Sequence, residues 1–218
     1  MELDRFADRR EAGQELAKRL EAFRGTDAVV SALPRGGVPV AAEVARALGL
    51  PLTLTLVRKI GVPQQPELAA AAIAGPGGEH LIENPAVVRS AGLDRAQIEA
   101  LAARERGELL RRAKLYLSGR PEVPLRGRTV LVVDDGLATG ATMEAAVAAL
   151  KAIGAARVIV AVPVGAADTV QRLASSADEV VCLRTPTHFY AVGAHYRDFP
   201  QTSDDEVARL LDEAGPAG

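Results

Sequence analysis

The sequence predicts an α/β fold, a mainly parallel sheet flanked by helices. Three observations carry that expectation. Apolar runs rich in Val and Leu alternate along the chain with segments of helical periodicity, as in repeated strand–helix units. Gly, Pro and Asp punctuate the junctions between them. Hydrophobic residues make up 48% of the 218, yet there are only four Phe, three Tyr and no Trp. The core must therefore be built from Ala, Val, Leu and Ile. That apolar content excludes a disordered chain, and the length fits one domain spanning 1–218.

The elements follow in order. Residues 6–24 read as an amphipathic helix, because Leu16, Leu20 and Phe23 recur at helical spacing among Arg, Glu and Lys. Asp27–Leu33 reads as a strand and leads into the turn Pro34-Arg35-Gly36-Gly37. Residues 38–48 form the next helix, which Gly49 and Pro51 end. Leu52–Val57 is a second strand. From Lys59 to about Gly92 the chain reads as long and irregular, rich in Pro and Gly, with short strands near 69–74 and 80–83. A loop of that length inside a domain is usually functional or mobile. Residues 94–117 form a charged helix, with Asp94 as N-cap and Gly119 beyond its end. After a linker at Pro121–Gly127, Thr129–Val133 has a buried-strand pattern, 134–140 is a loop and 141–153 a helix. A strand at 157–162, a helix at 166–176 and a strand at 179–183 complete the alternation.

The 26 basic and 28 acidic residues leave a formal charge of −2. No overall field draws in nucleic acid or an anionic membrane, so an anionic ligand has to be held by a local site. Cys182 is the single cysteine, which excludes an intrachain disulfide and a cysteine-based metal cluster. The first ten residues, MELDRFADRR, lack the apolar core of a signal peptide. No run approaches the ~18 apolar residues that span a bilayer. The expectation is a soluble, cytoplasmic protein that does not engage a membrane.

The most informative segment is Thr129-Val-Leu-Val-Val-Asp-Asp-Gly-Leu-Ala-Thr-Gly-Ala-Thr142. An apolar strand ends in two carboxylates, Asp134 and Asp135, and a loop of small residues then opens a helix. Ligands of open α/β sheets bind at the carboxyl ends of strands. Free backbone N–H groups at a helix start make an anion cradle, and Thr139 and Thr142 add hydroxyl donors. The carboxylates suit sugar hydroxyls or a divalent cation. Phosphate on one side and a diol on the other is the pattern a ribose 5-phosphate requires. A Walker P-loop is excluded, because no Lys stands in the loop. A response-regulator receiver is excluded too, because the later strand ends at Pro163-Val164 with no phosphoacceptor Asp.

This segment closely resembles the 5-phosphoribosyl 1-pyrophosphate (PRPP) motif of type I phosphoribosyltransferases. Together with Ile60-Gly-Val-Pro-Gln-Gln-Pro-Glu-Leu-Ala69, it is similar to a bacterial branch of that family with no assigned acceptor. The resemblance implies a type I phosphoribosyltransferase fold with a flexible lid at about 60–92 and a small hood-like segment at about 184–218. It implies a Mg²⁺-dependent pentosyl transferase of nucleotide metabolism, moving ribose 5-phosphate from PRPP to a nitrogen nucleophile, a nucleobase-like small molecule, with release of pyrophosphate. Asp134 and Asp135 would sit by the ribose 2′- and 3′-hydroxyls and meet Mg²⁺ directly, through water or through PRPP. Ala138, Thr139, Gly140, Ala141 and Thr142 would wrap the 5′-phosphate. Two positions depart from the common pattern. Gly136 stands where many members carry an apolar residue. Ala138 stands where hypoxanthine-guanine enzymes carry an Asp, which weakens that specificity.

Other segments gain meaning from the same resemblance. Pro34-Arg35-Gly36-Gly37 matches the pyrophosphate loop, in which the bond before the basic residue is often cis; Arg35, Gly36 and Gly37 would bind pyrophosphate. Arg58 and Lys59, at the end of the second strand, would stabilise the leaving group, Lys59 as a catalytic residue; a solvated strand end accounts for either alone. Residues 104–128 hold eight basic and three acidic residues. They read as a solvated helix face rather than a nucleic-acid patch, since Tyr116 is the one ring available for base stacking. Phe189, Tyr190, Tyr196 and Phe199 cluster after the last core strand. Phe189 and Tyr190 would face the acceptor, while Tyr196 and Phe199 also suit core or interface packing. His188 and His195 suit proton donors or structural roles. A homodimer is compatible with the sequence. Two other readings compete: a regulator sensing PRPP or a nucleotide without turnover, and a hydrolase or phosphorylase acting on a ribose phosphate.

Overall fold

The alternating pattern is realised in the computed structural model, which describes residues 5–75 and 78–214. In chain order its elements are α1 (Arg9–Arg19), β1 (Val29–Ala32), α2 (Gly37–Leu48), β2 (Leu52–Leu54), β3 (Val57–Val62), β4 (Gln65–Ala74) and β5 (His80–Glu83). They continue with α3 (Pro85–Ser90), α4 (Arg95–Leu117), β6 (Thr129–Val133), α5 (Ala141–Ala152), β7 (Arg157–Val164), α6 (Ala167–Leu173), β8 (Glu179–Arg184) and α7 (Asp204–Glu213).

Five strands form a parallel sheet in the order β2-β1-β6-β7-β8. Its inner strands β1, β6 and β7 are mostly apolar because both faces are covered. Val30, Ala32, Leu131, Val133, Ile159 and Ala161 join one cluster with side chains from α1, α2, α4 and α7. The intervening Val130, Val132, Val158, Val160 and Val162 join another with Met143, Val147 and Leu150 of α5 and Leu173 of α6. The strand period of two thus sends alternate residues to opposite layers. Small residues compensate for the shortage of rings by letting elements approach closely. A Cβ on Gly13 of α1 would lie 2.6 Å from the Val40 carbonyl oxygen and 2.7 Å from Glu43 Cβ on α2.

Within the stretch read as irregular, the short strands expected near 69–74 and 80–83 are present, and the surrounding chain is more regular than expected. β3, β4 and β5 form a separate antiparallel sheet in that order, and β4 pairs on both sides from Ala71 to Ala74. The Ala-rich β4 has Ile73 as its one β-branched residue; pairing to two neighbours overrides its weak propensity. The second strand of the parallel sheet ends earlier than expected, at Leu54, so Arg58 and Lys59 lie inside β3 rather than at a strand end. α4 and α5 pack against this small sheet.

α4 begins as expected: Asp94 accepts from the Gln97 backbone N–H at 2.8 Å, and Gln97 returns a bond to the Asp94 N–H, a cap of about 1 kcal/mol. The C-terminal segment divides. Residues 185–200 lie across the carboxyl end of the parallel sheet, whereas α7 places Val207, Leu210 and Leu211 in the main core.

Candidate active site

The loops after β1, β6 and β7 meet at one end of the parallel sheet. The Leu33 N–H donates to the Val133 carbonyl at 2.9 Å, and the Leu137 N–H to Val164 at 2.9 Å. The residues singled out in Pro34–Gly37 and Asp134–Thr142 are therefore neighbours in space. The Pro34–Arg35 peptide bond is cis. Gly36 and Gly37 let this loop lie against the acidic pair. A Cβ on Gly36 would collide with the Asp135 carboxylate, and one on Gly37 would lie 2.6 Å from the Val133 carbonyl oxygen and 2.8 Å from Asp134 Cα.

Asp134 and Asp135 are largely enclosed, the Asp135 side chain only 14% exposed. The Asp135 N–H donates to Asp134 Oδ1 at 2.8 Å. Burial drives the Asp134 carboxyl well above the usual carboxylate range, and the adjacent Asp135 charge adds to the rise. Burial raises Asp135 as well, against the lowering pull of Arg9.

Sequence reading missed Arg9. Its Nε and Nη2 both lie 2.8 Å from Asp135 Oδ2, and its Nη1 donates to the Pro200 carbonyl at 2.7 Å. The guanidinium carbon lies 3.7 Å from the centre of the Phe199 ring. Tyr196 approaches the same residue from the C-terminal segment, donating its hydroxyl to the Asp135 carbonyl oxygen at 2.6 Å. Nothing near Arg9 in the sequence marks it, because its partners stand more than a hundred positions away.

The residues expected to wrap the 5′-phosphate form the turn that opens α5. Gly140 adopts a left-handed conformation (φ 75°) as N-cap of α5, a backbone state that favours glycine. Among the described residues, the N–H groups of Ala138, Thr139 and Gly140 make no hydrogen bond, and those of Ala141 and Thr142 are first-turn amides. Ala138 and Thr139 are exposed.

Three arginines lie around the same end. Arg35 Nη1 is 3.4 Å from Asp204 Oδ1, which also accepts from the Tyr116 hydroxyl at 2.5 Å. Arg58 is paired with Glu105 at 2.6 Å. Arg58 and Arg112 line a small cavity of about 20 Å³ together with Pro34 and Thr142. Arg112, expected on a solvated face, thus shares this cavity with Thr142 while paired with Glu108. Lys59 is half-buried in β3.

The aromatic cluster is mostly packed. Tyr196 and Phe199 have ring centres 4.9 Å apart, and Phe6 joins Tyr196 at 5.5 Å. Phe189 stacks on His195 at 5.3 Å. His195 is buried with no partner at Nε2, and desolvation lowers its pKa. Tyr190 is 88% exposed. Gly136 is explained by this segment: a Cβ there would lie 2.6 Å from Val192 Cγ1.

A family model for the phosphoribosyl transferase domain matches residues 7–198. The chain belongs to that family. Two curated Mycobacterium tuberculosis proteins, MT0597 and Rv0571c, whose names give them provisionally as phosphoribosyl transferases, are each 53% identical to it over 209 residues. The match covers 96% of the chain but 47% of each relative, so the chain spans about half their length. The solved structure of TT1426 from Thermus thermophilus superposes with a TM-score of 0.89 at 46% identity, covering 96% of this chain and 98% of that one. The type I phosphoribosyltransferase fold expected from the motif is thereby shown.

The donor set suits only a lightly held cation. Among the described residues no group of three or more His, Cys, Asp or Glu could hold a metal. Asp135 Oδ2 is occupied by Arg9. Asp134 and the remaining oxygen of Asp135 would hold Mg²⁺, with most of its ligands drawn from substrate oxygens and water. Among the described residues no helix is long and apolar enough to cross a membrane.

Proposed function

We propose that this phosphoribosyl transferase moves ribose 5-phosphate from PRPP to a nitrogen nucleophile of nucleobase type and releases pyrophosphate. The observation that carries the reading is the meeting, at one sheet end, of the acidic pair, the Ala138–Gly140 amides, which have no partner among the described residues, and the Pro34–Gly37 loop.

Rupture of the anomeric C–O bond gives oxocarbenium character to the ribose, so positioning and electrostatics do most of the work. Asp134 and Asp135 accept the ribose hydroxyls and stand beside the developing positive charge. The amides of Ala138–Thr142 and the hydroxyls of Thr139 and Thr142 bind the 5′-phosphate. Arg35, with the Gly36 amide and the close approach that Gly37 allows, Arg58 and Lys59, receives the leaving pyrophosphate. Mg²⁺, when bound, supplies further neutralisation of that leaving group. The segment at about 60–92, which carries most of the β3–β5 sheet, serves as the lid that excludes water from the reacting centre. Phe189 and Tyr190 border the acceptor side, Tyr190 as the exposed ring that a flat acceptor can cover.

The test is calorimetric titration of PRPP into wild-type, Asp134→Asn and Asp135→Asn protein, followed by a pyrophosphate-release assay with purines, pyrimidines and simple amines. Lost PRPP binding in the variants and release with one acceptor class support the reading. Equal binding in all three proteins sinks the site. Tight binding with no release for any acceptor favours a PRPP sensor.

A further inference from the structure

The carbonyl groups of the phosphate loop are held from behind by α6. Thr169, 2% exposed, donates its hydroxyl to the Ala138 carbonyl at 2.8 Å. Arg172 donates from Nη2 to the Thr139 carbonyl at 2.6 Å and from Nε to Glu144 at 2.6 Å. The close approach depends on Gly140, where a Cβ would lie 2.5 Å from Thr169 Cγ2.

Peptide geometry converts these contacts into a statement about the cradle. In a trans peptide unit the N–H points opposite to the C=O of the same plane. With the Ala138 and Thr139 carbonyls turned toward α6, the N–H groups of Thr139 and Gly140 are turned away from it, and both lack a partner among the described residues. Glu144 presents a second problem, since it places a negative charge in the first turn of α5, where an anion would bind. The Arg172 guanidinium neutralises that charge from the same position at which it grips Thr139.

We propose that Thr169 and Arg172 are positioning residues that lock the phosphate loop with its amides facing the ligand, preorganising it for the 5′-phosphate of a phosphoribosyl substrate. The proposal rests on the reading of Ala138–Thr142 as the 5′-phosphate site. Neither residue need touch the substrate. Their contribution is that the loop is already ordered when phosphate arrives, which avoids an ordering cost on binding.

The experiment compares two probes by calorimetry, ribose 5-phosphate for the loop and inorganic pyrophosphate for the Arg35 side. Thr169→Val keeps the side-chain volume but removes the donor. It should weaken ribose 5-phosphate about three- to tenfold, the range for one neutral hydrogen bond, and leave pyrophosphate affinity unchanged. Thr169→Ser, which keeps the hydroxyl, should restore most of the loss. Arg172→Met lies at a half-exposed position, so it tests the second contact even where Thr169→Val folds poorly. It should also weaken ribose 5-phosphate alone. In Glu144→Gln/Arg172→Met, where the carboxylate charge is gone, the loss that persists belongs to the Thr139 contact. Unchanged ribose 5-phosphate binding in both single variants overturns the lock. So does an equal loss for both probes, which would mark a general packing defect. Wild-type protein that binds pyrophosphate but not ribose 5-phosphate overturns the loop assignment itself, and the lock with it.

Discussion

Arg9 supplies the sharpest test of how the acidic pair is maintained. Arg9→Met keeps an unbranched apolar stem but deletes the guanidinium. It removes two contacts at 2.8 Å to Asp135 Oδ2, one at 2.7 Å to Pro200 and the stack on Phe199 at 3.7 Å. The side chains of Arg9 and Asp135 are only 10% and 14% exposed. Charge-assisted hydrogen bonds contribute about 1.5–3 kcal/mol each, and the cation–ring contact about 0.5–2 kcal/mol. These figures overlap, because one desolvated guanidinium makes all the contacts. The better guide is the cost of stranding one member of a buried ion pair, about 3–5 kcal/mol. At roughly 2–4 °C per kcal/mol for a chain of this size, the midpoint of thermal unfolding should fall by about 6–20 °C. Urea unfolding of Arg9→Met, Asp135→Asn and the double variant then separates the pair from its surroundings. The double variant should be less unstable than the sum of the singles by about 2 kcal/mol, because Asn leaves no charge to strand. The loss in Arg9→Met should also shrink as pH falls and Asp135 takes up a proton. A loss below about 1 kcal/mol, or simple additivity, would refute the claim that Arg9 holds a buried charge.

Three further outcomes follow from the same site. Asp134→Asn should raise the unfolding midpoint at neutral pH while abolishing PRPP binding. The folded-state pKa of Asp134 lies above its unfolded value, so its ionised form costs stability at every pH above that raised value, and the cost fades on acidification; thermal melts between acid and neutral pH check the sign. Tyr196→Phe, which deletes the bond to the Asp135 carbonyl, should cost about 1–2 kcal/mol in urea unfolding, the penalty for an unsatisfied buried acceptor. His195 titrates in the opposite sense, because burial lowers its pKa. It favours the folded state fully above the ordinary histidine range and ceases to as pH falls through that range. A mild acid destabilisation should therefore be present in wild type and reduced in His195→Phe, which keeps a ring against Phe189.

The parts legible in the sequence were those encoded locally. The Thr129–Val133 strand, the Asp134–Asp135 step and the Gly140 turn are adjacent in the chain, and so is the Asp94–Gln97 cap of α4. The Pro34–Arg35 loop could be aligned by its strand, and its cis bond is present. What escaped notice was encoded by partners far apart. Only the 69–74 part of β4 is legible in the sequence; its start at Gln65 and its register are set by pairing to β3 and β5. Arg58 was placed at a strand end because the apolar run Leu52–Val57 hides the break after Leu54. Charge alternation along α4 reads Arg112 as solvated, because it says nothing about which turn of that helix borders the cavity shared with Pro34 and Thr142.

The aromatic residues show how the fold and the site depend on each other. Phe6 and Ala7 accept backbone bonds from Arg197 and Asp198, and the Phe6 N–H donates to His195. The entry to α1 is thereby zipped to the C-terminal segment, and the rings of Phe6, Tyr196 and Phe199 fill the seam. Arg9 and Tyr196 project from the two sides of that seam onto Asp135. A carboxylate pair at a strand end would otherwise repel and draw in protons or water. The chain meets that cost with a cation and a hydroxyl from opposite ends of the sequence, both tied to the same apolar seam. Loosening the seam should therefore be felt at Asp135 before it is felt in the sheet. Phe199→Ala, which removes the ring under Arg9 but no contact to the ligand site, should weaken PRPP binding at temperatures where the circular dichroism of the sheet and helices is unchanged. Binding and global unfolding that decline together would show instead that the seam is only a piece of the core.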